Sequence, residues 1–500
     1  MSEEQNQSQT EQNPADMFEQ RMIKLRDLLD HGENPYGGRV TGMVSTAAAK
    51  QAFEAAAEGA DVSARLAGRL TAMRVMGKSI FADVKDQVGR MQIYVQKNTL
   101  GEEAFDQFKK LDIGDIVTVQ GAVFVTRMGE VTLKVEACQL LSKSLRPLPE
   151  KWHGLTDVEH RYRQRYLDLI SNDEVRDVFR KRVAVIREIR NYLDDLGFME
   201  VETPMLQPIP GGAAARPFET FYNALECPMY MRVAPELYLK RLLVGGFEKV
   251  YEINRNFRNE GLSRRHNPEF TMIEIYEAYS DCRGMMDLIE GMITAVAEKA
   301  IGKLRLEFGE DGEEINLERP WRRVAYADLV KERMGGDWYD VSTAERAARA
   351  KAEGLHVDAQ WTDQEITHEV YEKLIERTLI QPTFVTRLPA ELVPLAKRCE
   401  DDPSVVDVFE LEMGGQEIAP GYSELNDPVE QRKRFESQAQ RTAGTVEEES
   451  GKIDEDFLVA MEHGMPPAGG MGMGIDRLVV LLTEQASIRD VILFPQMRQK

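Results

Sequence analysis

The residues best suited to chemistry lie in one stretch of the sequence, residues 248–279. Residues 252–258 alternate polar and mostly apolar side chains, which predicts a strand with one face in a wet cavity. A basic loop and a second strand follow, and Phe270, Glu274 and Tyr276 share one face of that strand because strand side chains alternate. If the two strands pair, their arginines and aromatic ring suit a nucleotide, with phosphate at the guanidinium and the purine on the ring. The alternative is a half-buried hairpin with solvated charges, which explains poorly why so many polar groups share a face.

An acidic segment at residues 404–427 is the second candidate. Glu410, Glu412 and Glu417 flank the pair Gly414 and Gly415. If those glycines form a two-residue hairpin turn, Glu412 faces Glu417 and the three carboxylates share a face. Like charges this close need a cation, and Mg²⁺ held jointly by carboxylates and substrate phosphates suits such a site. The alternative is an exposed acidic hairpin, which the neighbouring apolar residues disfavour.

A glycine-rich segment at residues 469–477 is the third candidate. It predicts a glycine-rich turn that leads into an apolar helix, and a helix N-terminus can bind phosphate. The segment has neither the lysine of a P-loop nor the spacing of the dinucleotide fingerprint. Alternatively, the glycines let the chain pass close to a ligand or to a neighbouring strand.

Residues 61–146 would supply a separate binding module. Short alternating segments punctuated by glycines predict five strands, which fit a small β-barrel of the OB type. Residues 61–100 hold seven Lys and Arg against three Asp, and Phe81 and Tyr94 lie among these bases. Basic strands with interleaved aromatic rings suit single-stranded nucleic acid. The alternative is a barrel whose aromatic rings are core and whose bases are merely solvated. The predicted strands span residues 62–70, 79–84, 90–96, 115–126 and 131–141.

The remaining segments predict an α+β domain from residue 147 to residue 500. Polar residues 1–14 predict a disordered tail, so residues 1–60 are interpreted as a tail with N-terminal helices. Residues 61–146 form the predicted OB-fold domain, and residues 324–380 are a mostly helical insertion without a chemical motif. Helices are predicted at 15–35, 44–59 and 173–196, and strands at 248–258, 268–279, 383–388 and 404–413.

Composition excludes several classes of protein. A chain of 500 residues suggests two to four domains, and its net charge of -22 excludes general nucleic-acid coating. No uncharged apolar run is long enough for a membrane span, and the first residues do not resemble a secretory signal. The four cysteines are scattered, which predicts a reduced, cytoplasmic protein without a disulfide framework or a zinc site.

Three motifs resemble those of the class II aminoacyl-tRNA synthetases, in the order of that family. Residues 197–204 are similar to motif 1, residues 257–270 to motif 2 and residues 472–477 to motif 3. With the OB-type domain, these motifs resemble subclass IIb. Residues 161–168, 211–218 and 423–428 are similar to bacterial lysyl-tRNA synthetases, and the resemblance covers about residues 15–500. It implies an OB-fold barrel and a catalytic domain with an antiparallel sheet flanked by helices.

This resemblance implies a nucleotide site for ATP. Its implied catalytic residues are Arg258, Glu260 and Arg477. In the order of the chain, the implied ATP-binding residues are Arg258 at the α-phosphate, Glu260 at the adenine amino group, Arg265 and His266 toward the γ-phosphate, Phe270 under the adenine and Arg477 over it.

The resemblance also implies sites for lysine, metal and tRNA. A long cationic substrate needs buried carboxylate and phenol acceptors at its far end, and this chain can supply them. The implied lysine-binding residues are Gly212 and Glu236 at the α-amino end, and Glu424 and Tyr276 at the ε-ammonium group with Glu274 close by. The implied Mg²⁺ ligands are Glu410 and Glu417, with up to three ions per subunit, and Glu412 is additional. The implied anticodon-binding residues are Phe81, which would stack on a base, with Arg74 and Gln92 nearby.

The implied activity is ligation of L-lysine to tRNA(Lys) by way of lysyl-adenylate and pyrophosphate. The lysine carboxylate is already ionised near pH 7, so its attack on the α-phosphorus needs no general base. The resemblance further implies a homodimer built through the helix of motif 1, a cytoplasmic location, and neither a membrane nor DNA as partner.

Two departures and three alternatives accompany this interpretation. Pro420 occupies a position where the resemblance leads us to expect a substrate-binding asparagine, and residues 466–469 lack an expected threonine. A ligase that attaches lysine to a protein should lack the OB-type domain. An aspartate- or asparagine-specific relative is opposed by Glu274, Tyr276 and Glu424. A non-catalytic RNA-binding regulator should first have lost the ATP residues, which are intact here.

Overall fold

The computed structural model describes residues 14–57, 59–149, 155–213, 215–309, 312–442 and 452–499. It forms two compact units, Met1–Leu155 and Thr156–Lys500. The predicted disordered tail lies outside the described residues up to residue 13, and Pro14 begins the first helix. In the part of the chain that the structure describes, no helix has both the length and the apolar character needed to cross a membrane.

The first unit contains a closed five-stranded barrel, as the sequence predicts. Its strands follow the order β1-β2-β3-β5-β4, and all neighbours are antiparallel except β3 and β5. The elements are α1 (Pro14–Asp30), α2 (Thr46–Glu54), β1 (Ser63–Met76), β2 (Ser79–Lys85), β3 (Arg90–Gln96), α3 (Lys97–Leu100), α4 (Glu102–Lys109), β4 (Ile116–Val125) and β5 (Val131–Ser142).

Strict alternation of side chains fills this barrel. Ile80, Ala82 and Val84 of β2 point into the core and are buried. The aromatic residues between them in sequence therefore lie on the outer face, half-buried, as Phe81 and Tyr94 do. This placement makes the alternative of core aromatic rings wrong and leaves an aromatic surface on the basic strands.

The second unit is built around an eight-stranded sheet of order β14-β15-β16-β17-β18-β11-β10-β6, in which only the pairs β14–β15 and β10–β6 are parallel. Smaller sheets join β12 with β13 and β7 with β9 and β8. The elements are α5 (Val158–Arg163), α6 (Arg165–Ser171), α7 (Asp173–Asp195), β6 (Met199–Glu200), β7 (Leu206–Gln207), β8 (Phe218–Tyr222), β9 (Cys227–Met231), α8 (Glu236–Val244), β10 (Lys249–Phe257), β11 (Glu269–Ala278), α9 (Cys282–Val296), β12 (Arg305–Phe308), β13 (Glu313–Asn316), β14 (Arg322–Ala325), α10 (Tyr326–Met334), α11 (Thr343–Ala352), α12 (Asp363–Val370), β15 (Thr383–Thr386), β16 (Val408–Glu412), β17 (Glu417–Ser423), α13 (Pro428–Thr442), α14 (Glu455–Glu462), β18 (Ala468–Gly474), α15 (Ile475–Leu482) and α16 (Ile488–Val491).

The two faces of this sheet differ in polarity. On one face, Ile273 and Ile275 of β11 are fully buried in the main apolar core, together with apolar residues of α7, α9 and α15. Because strand side chains alternate, the intervening residues of β11 face the opposite side, where Glu274 and Tyr276 lie. The polar face of β10, β11 and β18 is therefore available for a binding site.

The predicted glycine-rich turn before motif 3 is wrong, because residues 468–474 form strand β18 between β11 and β17. Glycine has no hydrophobic pattern to mark a strand. A Cβ added at Gly470 would lie 1.9 Å from Oε1 of Glu424 and 2.5 Å from Cε1 of Tyr276. The glycines thus let large side chains from neighbouring elements approach the strand, which was the alternative interpretation.

Candidate active site

An open cavity of about 170 Å³ lies over the polar face of the large sheet. It is bounded by β11, by the loop between β10 and β11, by β17, and by the start of α15. All six residues predicted to bind ATP line it: Arg258, Glu260, Arg265, His266, Phe270 and Arg477. Residues far apart in the sequence are thus brought together by the antiparallel order of the strands.

Arg258 and Phe270 form one wall of the cavity. Phe270 is paired with Asn256 across β10 and β11, and Arg258 lies just beyond the end of β10. The Cζ atom of Arg258 is 5.2 Å from the centroid of the Phe270 ring. The Nε atom of Arg258 is buried and has no hydrogen-bond partner within the described part of the chain. Burial lowers the pKa of Arg258, although nearby Glu260 and Glu417 oppose this shift. A guanidinium so placed can donate to an incoming phosphate.

Arg477, Arg265 and His266 form a second group of residues that line the cavity. Arg477 donates from Nη1 to the carbonyl oxygen of Glu417 at 2.7 Å, and Arg265 donates to the carbonyl oxygen of Gly415 at 3.2 Å. The Nη2 atom of Arg477 is 3.1 Å from Nε2 of His266. Burial and the charge of Arg477 lower the pKa of His266. The imidazole is therefore held neutral near pH 7, with Nε2 as an acceptor.

The acidic hairpin has the predicted two-residue turn. Gly414 and Gly415 have φ angles of 64° and 65°, and Glu412 is paired with Glu417 across the turn. Both central residues of this turn require positive φ, which glycine adopts without steric cost. Glu410 lies two residues before Glu412 in β16, so both side chains leave the strand on the same face.

These carboxylates repel one another inside the protein. Burial raises the pKa of Glu410 to about 8 and that of Glu412 to about 10, and the charges of Glu417 and Glu376 add to both shifts. Glu412 is 1% exposed, and its Oε2 atom has no hydrogen-bond partner among the described residues. A buried acidic cluster with an unpaired oxygen fits a divalent cation. Within the described ranges no group of three or more His, Cys, Asp or Glu could hold a metal ion by itself, so phosphate oxygens would have to complete the coordination.

A cluster of buried polar side chains, called the buried pocket below, contains residues predicted to bind a long cationic substrate. Tyr276 donates from its hydroxyl group to Oε2 of Glu274 at 3.0 Å. Burial and neighbouring carboxylates raise the pKa values of Glu274 and Tyr276. Glu424 is also buried, and burial raises its pKa to about 8 although Lys240 opposes the shift. Its Oε1 atom, which lies beside Gly470, has no hydrogen-bond partner in the described part of the structure.

The other two predicted residues of this pocket, Gly212 and Glu236, lie side by side. Glu236 begins α8, and its Oε1 atom accepts a hydrogen bond from the hydroxyl group of Tyr422 at 2.7 Å. Gly212 has a φ of +87°, and a Cβ there would lie 3.0 Å from Cβ of Glu236. This close approach leaves the backbone of Gly212 and the carboxylate of Glu236 available to the same ligand group.

Two residues of the pocket were missed by sequence reasoning, Lys240 and Tyr422. The Nζ atom of Lys240 is 2.7 Å from Oε1 of Glu236, forms an ion pair with Glu424, and lies 5.6 Å from the centroid of the Tyr422 ring. Glu236 and Lys240 are four residues apart in a helix, a spacing that brings opposite charges together. That spacing is a signal in the sequence that could have identified Lys240.

In the first unit, the predicted anticodon-binding residues lie together on the outer face of the barrel. Arg74 of β1 is paired with Phe81 of β2, which is paired with Tyr94 of β3. The ring centroids of Phe81 and Tyr94 are 4.8 Å apart. Gln92 lies two residues before Tyr94 and accepts a hydrogen bond from the hydroxyl group of Thr132 at 3.0 Å. The surface offers two adjacent aromatic rings, tilted by 37° to each other, beside an exposed arginine.

Comparison with known proteins agrees with this geometry. Residues 157–498 match the tRNA synthetases class II (D, K and N), and residues 64–141 match the OB-fold nucleic acid binding domain. A lysine–tRNA ligase from Pelotomaculum thermopropionicum is 53% identical over 98% of this chain and 96% of its own length. The chain belongs to the lysine–tRNA ligases of class II. Lysine–tRNA ligases from Carboxydothermus hydrogenoformans and Syntrophomonas wolfei are 53% and 51% identical, over 96% and 99% of this chain and 97% and 99% of their own lengths.

Membership of the lysine–tRNA ligases confirms the resemblance and the fold class inferred from the sequence. The similarity includes the OB-fold barrel, whereas a ligase that attaches lysine to a protein should lack it. It also confirms that the protein is an enzyme of a family that uses ATP.

Proposed function

We propose that this protein activates L-lysine with ATP and transfers the lysyl group to the 3′ end of tRNA(Lys). The observation that carries the proposal is a buried pocket of Glu274, Tyr276 and Glu424 beside a cavity that contains Arg258 and Phe270. The first group suits a long side chain that ends in an ammonium group, and the second suits a nucleotide. An enzyme that joins lysine to adenylate needs both at once.

In the nucleotide cavity, ATP would contact both groups of lining residues. The adenine would stack on Phe270 under the guanidinium of Arg477, with its amino group donating to Glu260. Arg258 would bind the α-phosphate, because its buried Nε lacks a partner in the described ranges of the chain. Arg265 would approach the γ-phosphate as a second cation, with the neutral imidazole of His266 beside it.

In the buried pocket, the substrate would be bound at both ends. The ε-ammonium group would donate to Glu424 and to the hydroxyl group of Tyr276, with Glu274 close by. The α-amino group would meet Gly212 and Glu236. Amino acids with apolar side chains would leave these buried polar groups unpaired, so the pocket should reject them strongly.

We propose that Glu410 and Glu417 hold Mg²⁺ together with ATP phosphates. When bound, the ion would neutralise charge on the triphosphate and on the leaving pyrophosphate. The raised pKa values of Glu410 and Glu412 support this assignment, because a cation is what such buried acids require. Glu412 would add negative charge next to the two ligands.

Catalysis would then consist of positioning and electrostatic stabilisation. The lysine carboxylate, already ionised, attacks the α-phosphorus in line and the bond to pyrophosphate breaks. Arg258 stabilises the charge that develops on the α-phosphate oxygens. In the second step, the 3′-hydroxyl group of the terminal ribose attacks the lysyl carbonyl carbon, and AMP leaves.

We further propose binding of the anticodon by the barrel, a homodimer and a cytoplasmic location. Phe81 and Tyr94 would stack with anticodon bases, and Arg74 would contact phosphate. Val183 of α7 and Phe221 of β8 are apolar yet 65% and 56% exposed, and we propose that they lie in an interface between two copies of the chain. The proposed product, charged tRNA, is consumed by ribosomes, and we therefore propose that the enzyme lies in the cytoplasm with them.

The test is ATP–pyrophosphate exchange measured with each of the twenty amino acids in the presence of Mg²⁺. We expect exchange that depends on lysine, and charging of tRNA(Lys) in a second assay. Exchange with a different amino acid would contradict the assignment of the buried pocket but leave the enzyme class intact. No exchange with any amino acid would contradict the proposed function, and RNA binding would then be the property to measure.

A further inference from the structure

A lysine of the chain itself lies between two of the carboxylates proposed for the substrate. Lys240, one helical turn after Glu236 in α8, is completely buried. Its Nζ atom is 2.7 Å from Oε1 of Glu236 and forms an ion pair with Oε2 of Glu424. One ammonium group therefore bridges a carboxylate from α8 and a carboxylate that follows β17.

Each of these carboxylates keeps its second oxygen turned toward the proposed substrate groups. A Cβ at Gly212 would lie 3.7 Å from Oε2 of Glu236, and a Cβ at Gly470 would lie 1.9 Å from Oε1 of Glu424. Both oxygens thus border the backbone of a glycine, whose missing side chain lets the carboxylate approach closely. Lys240 takes one oxygen of each acid and leaves the other for a ligand.

The charges around Lys240 require such a cation. Facing it are Glu236 and Glu424, with the phenol of Tyr422 beneath, while Glu274 and Tyr276 of β11 lie on the far side of Glu424. The next arginine, Arg232, is held at 2.6 Å by Glu252. Burial opposes the charge of Lys240, but Glu236 and Glu424 raise its pKa, so it remains an ammonium ion. Without it, buried acids would face one another uncompensated.

We propose that Lys240 is a positioning residue that holds Glu236 and Glu424 at a fixed separation and balances their charge, so that both act as carboxylates toward the two ammonium groups of the substrate. This inference rests on the proposed function. Because the two acids receive opposite ends of one molecule, their separation sets the length of diamino acid that fits. Lys240 would therefore help the enzyme to select lysine over ornithine, which is shorter by one methylene group.

The test is Lys240→Met, which keeps the length of the side chain and removes the charge. We expect the KM for lysine in ATP–pyrophosphate exchange to rise by about tenfold or more, since each pKa unit gained by the acids corresponds to that factor. The KM for ATP should stay within about twofold, and the preference for lysine over ornithine should fall. The pH above which the lysine KM stops improving should also move upward, because the acids hold their protons more tightly.

Lys143→Met is the matched control. Lys143 is likewise a buried lysine between two acids, with Nζ 2.6 Å from Asp112 and 2.8 Å from Asp115, but it lies in the first unit. Its loss should lower stability without changing the lysine KM or the ornithine preference. Lys240→Arg, which keeps a cation, should retain a lysine KM closer to the unsubstituted value than Lys240→Met does.

The possible failures can be told apart. If the unsubstituted protein shows no lysine-dependent exchange, the proposed function itself is wrong. If it is active and a folded Lys240→Met variant keeps the lysine KM, the pH profile and the ornithine preference, the role of Lys240 is overturned. Lys240→Gln, neutral but still a hydrogen-bond donor, takes the place of Lys240→Met if that variant does not fold, and the same changes are expected.

Discussion

Arg258 and Arg255 are three residues apart but meet different surroundings, because strand residues alternate between faces. Arg258 is directed into the nucleotide cavity with an unpaired Nε, as far as the described residues show. Arg255 is half exposed on the other side and paired with Glu269 at 3.1 Å. Substituting each arginine in turn therefore tests the role of the Arg258 guanidinium group, with Arg255 as the matched control.

We predict that Arg258→Ala lowers kcat for adenylate formation by about 10²–10³-fold, the cost of losing one donor to a developing charge. Arg255→Ala should leave the rate nearly unchanged. Single-turnover measurement of pyrophosphate release, with saturating lysine and ATP, checks both. Equal rates for the two variants would contradict the assignment of Arg258 to the α-phosphate.

Glu424 predicts a pH dependence of lysine binding. Burial raises its pKa to about 8 against the opposing charge of Lys240, so in the substrate-free protein this carboxyl group takes up a proton at a higher pH than an ordinary glutamate does. An ammonium group that binds there must displace this proton, so the affinity for lysine should increase as the pH rises toward about 8 and then level off. Calorimetry at neutral pH in buffers of different ionisation enthalpy should show proton release. A binding enthalpy independent of the buffer would contradict this expectation.

At the scale of elements, the β16–β17 hairpin brings acidic side chains close together inside the protein, and this makes the stability of the fold depend on pH. The pKa of Glu412 is about 10 in the folded protein against an ordinary 4.5. Between these values the folded state binds more protons than the unfolded state, so stability is fully present below 4.5 and is lost as the pH rises through 10. The loss is at most about 1.4 kcal/mol per pH unit.

We predict that Glu412→Gln removes this loss. In the absence of Mg²⁺, the variant should gain stability relative to the unsubstituted protein as the pH rises, with a larger difference in Tm at pH about 8 than at pH about 5. Thermal unfolding at the two pH values checks the sign. Glu313→Gln, on the exposed hairpin β12–β13, is the control and should show no such trend.

The elements could be predicted from the sequence where side chains alternate or repeat at helical spacing. Strand β10 follows directly from polar residues at every second position, and the turn of the acidic hairpin follows from two glycines. Strand β18 could not be predicted, because a run of glycines does not show the alternation of apolar and polar side chains that marks a strand. Pro420 was noticed as a departure, yet the sequence could not show that it lies in β17 next to a bulge, one of the few places in a sheet that tolerate proline.

Across the whole molecule, the second unit would carry out the chemistry and the first unit would bind the anticodon of the tRNA. Adenylate formation needs only residues of the second unit, whereas recognition of the anticodon would need the barrel of the first. Six residues that line the cavity of the second unit could be named from the sequence because motifs mark them, and their role in ATP binding remains a prediction. Lys240 was missed although its spacing from Glu236 is a signal, because its second partner, Glu424, is distant in sequence and only the folded structure brings them together.

We predict that Phe81→Ala separates these two activities. Loss of one stacking platform should raise the KM for tRNA by about 5- to 150-fold, equivalent to about 1–3 kcal/mol. ATP–pyrophosphate exchange with lysine should be unchanged. Aminoacylation kinetics check this, and Met128→Ala, at a residue that is 93% exposed on the loop between β4 and β5, is the surface control.

The proposed homodimer gives a prediction for the assembly. Phe221→Glu places a charge on the exposed apolar surface of β8 and should shift the protein from dimer to monomer. Val459→Glu, at a residue that is 46% exposed on α14, should leave the mass unchanged. Sedimentation equilibrium checks both variants. A monomeric unsubstituted protein would contradict the dimer.

The glycine strand β18 also has a consequence for the genetics of this protein. Every missense change in a glycine codon adds a side chain, and at Gly470 the first added carbon would collide with Glu424 and Tyr276. At Gly472 it would meet only the flexible end of Met272 at 3.0 Å, and at Gly474 nothing closer than 3.6 Å. Random mutagenesis followed by selection for growth should therefore find tolerance that increases from codon 470 through codon 472 to codon 474, with codon 470 among the least variable in the gene.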